Sequence, residues 1–113
     1  MKRGEIWWAS LGDPKGSEPG FKRPVVIISS NDFNVSKIKT IIVAVITSNL
    51  RLSEAPGNVE ISKKSTGLPR NSVINVSQII TIDKLFLTEK IGKLPSKQLQ
   101  MLNDGVKLVL ALF

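Results

Sequence analysis

The chain has no cysteine and no histidine among its 113 residues. Without cysteine there is neither a disulfide framework nor a thiolate metal site, which suits a reducing compartment. Without histidine the commonest general base and the commonest zinc ligand are gone, so any chemistry falls to hydroxyls, carboxylates, amides and cations. Neither "NDFN" nor the surroundings of Asp83 has metal-ligand spacing, so no metal and no cofactor are expected. Long apolar runs are missing too. "IIVAVI" and "LVLALF" are far too short to cross a bilayer, and "MKRGEIWW" lacks the apolar stretch of a secretion signal. The expectation is a soluble cytoplasmic protein with no membrane partner.

Acidic residues are scarce: nine Asp+Glu stand against sixteen Lys+Arg, for a net charge of +7 and a pI near 10.0. That balance favours a polyanionic partner, either nucleic acid or an acidic protein segment. The cations are spread along the chain (Arg23, Lys39, Arg51, Lys64, Arg70 and Lys90 among them), so folding must assemble any binding patch. A hydrophobic share of 42% with 22% charged residues is ordinary for a globular chain, and the length suits one domain over 1–113.

Strand and turn signals fill most of the chain. "EIWWASL" reads as a strand bounded by Gly4 and "GDPKG", and alternation sends Trp7 and Trp8 to opposite faces, one to the core. The other could pack, meet an interface or stack on a base. Residues 11–22 form a Gly/Pro-rich loop, "RPVVIIS" a strand opening on Pro24, and "SNDFN" a helical turn capped by Ser30 or Asn31. "TIIVAVITS" reads as a strand buried on both faces. "NLRLSEAPG" reads as a mobile loop, "NVEIS" as a short strand and "KKSTGLPR" as a basic turn. In "NSVINVSQIIT", Val73, Asn75 and Ser77 share one face and Ile74 and Val76 the other, as in a strand lining a groove. "IDKLF" suits one helical turn, and "LTEKIGKL" an edge strand. Leu99, Leu102, Val106, Val109 and Phe113 follow helical spacing, with Ser96 as N-cap and Gly105 as a weak point. The fold class is therefore mainly β with a C-terminal helix, a small bent barrel.

Phosphodiester cleavage remains open to a chain without histidine if the substrate brings its own nucleophile, as RNA does in its 2′-OH. Such an enzyme needs a proton acceptor, a cation for the phosphorane and a donor to the leaving oxygen. Arg23, at the mouth of an apolar strand, has a fixed charge and a fork that binds two phosphate oxygens. Thr47 and Ser48 end a buried strand where they could reach the same phosphate. Glu18 is the nearest loop carboxylate, and Gln78 could read a base edge or sit bonded to backbone.

The segment order "RGEIWWASL", "GSEPGFKRPVVIISSND", "TIIVAVITS", "GLPRNSVINVSQIITIDK" and "IGKL" before a final helix resembles the MazF/PemK family of toxin endoribonucleases over nearly the whole chain. The resemblance implies an SH3-like barrel of the CcdB/PemK type, working as a homodimer on single-stranded RNA. It implies metal-independent, sequence-specific cleavage to 2′,3′-cyclic phosphate and 5′-OH ends, under the control of a cognate antitoxin. It puts the phosphate-stabilising role on Arg23 and a second catalytic role on Thr47, with Ser17, Glu18, Asn31, Ser48 and Gln78 toward RNA. Members closer to the Kid toxin use an Arg and an Asp where this chain has Asn75 and Ser77, so their acid/base pairing does not transfer, and the proton acceptor stays open among Glu18, Thr47 and water. The alternative function is a non-catalytic or gyrase-targeting barrel that acts by protein binding. The "LALF" ending differs from the Trp-Gly-Ile end of the gyrase-directed type.

Overall fold

A computed structural model describes residues 1–12, 16 and 21–112. Strands β1 (Glu5–Ser10), β2 (Lys22–Ile27), β3 (Thr40–Thr47), β4 (Val59–Ile61), β5 (Ser72–Asp83) and β6 (Leu87–Lys93) form one sheet in the order β4-β5-β3-β2-β1-β6. Every pairing is antiparallel. Helices α1 (Asn31–Val35) and α2 (Lys63–Thr66) are single turns, and α3 (Ser96–Leu110) ends the chain. The mainly β fold with a terminal helix thus stands as expected. The sheet curls into a half-barrel whose edges, β4 and β6, are drawn together by α2 and not by a shared ladder. Gly92 of β6 lies so near α2 that a Cβ there would be 2.2 Å from the Thr66 carbonyl oxygen.

Because antiparallel partners share a face, each face of the sheet gathers its own apolar cluster. Ile6, Val26, Ala44, Ile46 and Ile74 form the inner cluster, closed by Leu102 of α3. Ala9, Val25, Val43 and Val45 form the outer one with Ile82 and Leu87. The continuous apolar run of β3 serves both, as its sequence requires.

Several local expectations change. The helix begins one residue earlier than its serine suggests: Leu99 N–H bonds the Pro95 carbonyl at 2.9 Å, which makes Pro95 the cap and Ser96 the first helical residue. The 48–57 segment holds a 3₁₀ turn over Leu50–Glu54, with Asn49 accepting the Arg51 N–H. Within β5 strict alternation fails. Between the pairs Val45↔Asn75 and Ala44↔Ile79 three extra residues bulge out, and Asn75 is buried. Phe113 lies outside the described residues.

Glu5 ties the start of β1 to β6. Burial raises its pKa, but the Lys2 N–H, the Trp7 indole N–H and Lys90 outweigh that and bring it from 4.5 to about 2. Lys90 Nζ stands 3.0 Å from Glu5 Oε2, and the carboxylate is nearly covered. A carboxyl with a depressed folded pKa contributes stability above its unfolded value and loses it as pH falls through the folded one. Glu5→Gln, which keeps the shape without the charge, is expected to lower stability at pH 7 by about 2 kcal/mol. Its gap to the unaltered protein should close between pH 4.5 and about 2. Urea unfolding at several pH values checks this, and a pH-independent gap would contradict it.

Candidate active site

Arg23 and Thr47 are 24 positions apart in sequence and lie on the neighbouring strands β2 and β3. The β2–β3 ladder ends at the pair Val25↔Val45, and Arg23 and Thr47 each lie two residues beyond it toward the same end of the sheet. Alternation places both on the outer face with those valines. Ala9 flanks Arg23 from β1, and Val73 flanks Thr47 from β5, so the polar pair stands between two buried apolar residues. Arg23 is exposed and Thr47 half-buried. Thr47 Oγ1 accepts the Asn49 N–H at 3.2 Å. With one lone pair engaged, its O–H remains able to donate outward.

Beside this pair opens a cavity of about 190 Å³ lined by Trp8, Arg23, Pro24, Ser48, Arg70 and Ser72, with Ile46, Leu68 and Pro69 beneath and beside them. It is the mouth of the half-barrel, since Ile46 and Leu68 belong to the inner cluster. Arg23 and Ser48 both line it, and Thr47 does not. Ser17 and Glu18 lie outside the described residues. The base of their loop is fixed by the Leu11 N–H to the Phe21 carbonyl at 2.8 Å and by the Phe21 N–H to Gly12 O. Phe21 itself has φ 58, a left-handed conformation uncommon for an aromatic residue.

Gln78 sits in the β5 bulge, its Oε1 accepting the Asn75 Nδ2–H at 3.3 Å. The bulge adjoins Val45, two residues short of Thr47 on β3. Asn31 is at the other end of β2, where its Oδ1 accepts the Arg3 N–H at 2.7 Å beside Met1, Lys2 and Asp32. The structure thus brings Arg23 and Ser48 to one cavity, leaves Thr47 at the adjoining end of β3 and Gln78 in the β5 bulge, and sets Asn31 at a separate pocket.

Sequence reasoning missed Arg70 and Trp8 as neighbours of Arg23. "LPR" reads as turn chemistry, and two adjacent tryptophans differ only by parity. In the structure Trp7 packs on the outer cluster and donates to Glu5 at 3.0 Å, whereas Trp8 lines the cavity with Lys22 Nζ 5.0 Å from its ring centre. Both rings are half-buried, neither being full core. Among the described residues no group of three or more carboxylates, histidines or cysteines could hold a metal ion.

Residues 2–110 match the family model described as PemK-like, MazF-like toxin of type II toxin-antitoxin system. Endoribonuclease MazF6 of Mycobacterium tuberculosis is 45% identical over 112 residues, covering 99% of this chain and 98% of that protein. Endoribonuclease EndoA of Bacillus subtilis is 40% identical, covering 99% and 96%. Among solved structures, the Mycobacterium tuberculosis toxin MazF-mt6 superposes with a TM-score of 0.80 at 24% identity, over 96% of this chain and 98% of that one. A mycobacterial endoribonuclease in complex with its cognate antitoxin gives 0.77 at 20% identity, over 100% and 95%. The structural likenesses establish the fold. The sequence matches establish the kinship, and the chain belongs to the PemK-like, MazF-like toxins of type II toxin–antitoxin systems.

Proposed function

We propose that the chain is an endoribonuclease toxin that cleaves single-stranded RNA at short motifs, with Arg23 and Thr47 as its catalytic residues. The observation that carries this reading is a cavity lined by two arginines, Arg23 and Arg70, at the start of the strand that pairs with Thr47's strand, in a chain whose relatives are named endoribonucleases. The 2′-oxygen attacks the adjacent phosphorus and the bond from phosphorus to the 5′-oxygen breaks. The 2′-OH loses its proton and the leaving 5′-oxygen gains one, giving a 2′,3′-cyclic phosphate and a 5′-OH without consuming water or needing a metal. The Arg23 guanidinium compensates charge on the equatorial phosphate oxygens, and the outward Thr47 O–H donates to one of them. Ser48 and Gln78 bind RNA around this centre, joined by Ser17 and Glu18 from the β1–β2 loop. Asn31, at the far end of β2, serves a more distant part of the substrate.

The working unit is a homodimer in the cytoplasm. The last turn of α3 exposes Leu108, Val109 and Leu110, with Leu112 exposed just beyond it, more apolar surface than one chain covers, and a second copy would bury it. Light scattering should give twice the chain mass; a monomer at micromolar concentration would remove this part of the reading. A cognate antitoxin with an acidic, apolar segment suits the +7 charge and would compete with RNA for the same cations.

Purified protein incubated with a long mixed-sequence RNA in EDTA is expected to give discrete 5′-OH ends sharing a short motif. Intact RNA would favour the non-catalytic binding alternative.

A further inference from the structure

We propose that the cavity at the half-barrel mouth is a nucleobase subsite, in which one unpaired base next to the scissile phosphate stacks on Trp8 while Arg70 holds the adjoining phosphate. This rests on the RNA-cleaving reading and deepens it by naming the residues that confer part of the sequence preference. Three observations carry it. The cavity shares Arg23 with the catalytic pair, so whatever fills it is a close neighbour of the reacting phosphate. Its floor is apolar, with Ile46 and Leu68 buried and Pro24 and Pro69 alongside, which suits a flat ring system more than a solvated sugar or phosphate. Trp8 supplies the aromatic wall. Lys22, which does not line the cavity, has its ammonium over the ring, 5.0 Å from its centre.

The backbone of Arg70 is anchored on both sides. Pro69 precedes it, and the Ser72 hydroxyl donates to its carbonyl at 2.9 Å. Its side chain is exposed at the rim, and no carboxylate among the described residues pairs with it. A second cation beside Arg23 with an apolar slot between them fits a phosphate, a base and the next phosphate in succession. Trp7, by contrast, has its indole N–H engaged by Glu5 and its ring on the outer cluster. The neighbouring tryptophans thus divide into one for the fold and one for the ligand.

The test reads binding and cleavage separately. In a Trp7→Phe background Trp8 is the sole tryptophan, and titration with short single-stranded RNAs carrying 2′-O-methyl groups, which bind without being cut, should quench its fluorescence to saturation. In cleavage assays Trp8→Leu and Arg70→Gln should each weaken kcat/KM by about tenfold to a hundredfold. Trp8→Leu should also relax the mapped motif at one position, with Trp8→Phe restoring it. Normal kcat/KM and an unchanged motif in Trp8→Leu and Arg70→Gln would overturn the subsite while leaving the nuclease intact. Failure of the unaltered protein to cut any RNA would overturn the nuclease reading, and quenching would then decide the subsite alone. Quenching by an acidic, apolar peptide but by no RNA would overturn the subsite and assign the slot to a protein side chain. If Trp8→Leu fails to fold, quenching and Arg70→Gln decide.

Discussion

Replacing Arg23 with alanine is expected to slow single-turnover RNA cleavage by about a hundredfold to a thousandfold, the range for losing one preorganised stabiliser of transition-state charge. RNA affinity should fall by only a fewfold, because other cations on the same surface still meet the backbone. Arg23→Lys should recover only part of the rate, since an ammonium keeps the charge but loses the two-pronged contact. Thr47→Ala should slow cleavage as well, and by less, because a neutral hydroxyl contributes less than a guanidinium. Rapid-quench assays beside filter binding separate the two quantities. An Arg23→Ala protein that cuts at the normal rate would remove Arg23 from the chemistry. One that loses affinity and rate in equal measure would point to binding alone.

Gly105→Ala is expected to destabilise the fold, although alanine is the better helix former by about 1 kcal/mol. A Cβ at this position would lie 2.1 Å from the Gly57 carbonyl oxygen, and the obstacle is backbone, not a yielding side chain. That backbone has little room to retreat. Gly57 is held at φ 82, and the next residue, Asn58, accepts the Val76 N–H at 2.9 Å and donates to the Leu52 carbonyl at 2.8 Å. Helix α3 must therefore lift from the sheet and loosen Leu102 in the inner cluster. A net loss of about 2–3 kcal/mol follows from overpacking of this kind. In a domain of this size that is roughly 10–20 °C in melting temperature. Calorimetry showing an unchanged or raised midpoint would mean that propensity wins over the clash.

Gly105 shows where local reading stops. In the sequence it is a weak point in a helical stripe, whereas in the structure it lets α3 approach the loop after β3. Gly92 is similar, since nothing in "KIGKL" announces that the Thr66 carbonyl will press against it. The bulge in β5 was equally hidden. "SVINVSQII" alternates well enough to suggest unbroken pairing, but the Asn58 and Asn75 side chains take the backbone N–H groups of Val76 and Ser77 and let the strand leave its partner. Signals that depend on residues within one turn or one strand fared better. Ser30 caps α1 through the Phe33 N–H, "TIIVAVIT" is buried on both faces, and the charged "LTEKIGK" occupies an edge.

The candidate site divides along the same line. Composition removed histidine and thiolate chemistry and left hydroxyls, carboxylates, amides and cations. Strand periodicity put Arg23 at the start of one strand and Thr47 at the end of another, because each motif is local. Only the antiparallel sheet order decided that the two strands are neighbours, and only the curl of the sheet brought Trp8, Arg23, Ser48 and Arg70 around the same opening. The physical reason is that side-chain direction along a strand is set by the strand itself. The meeting of side chains from four segments is set instead by how the inner face closes on its apolar cluster under α3.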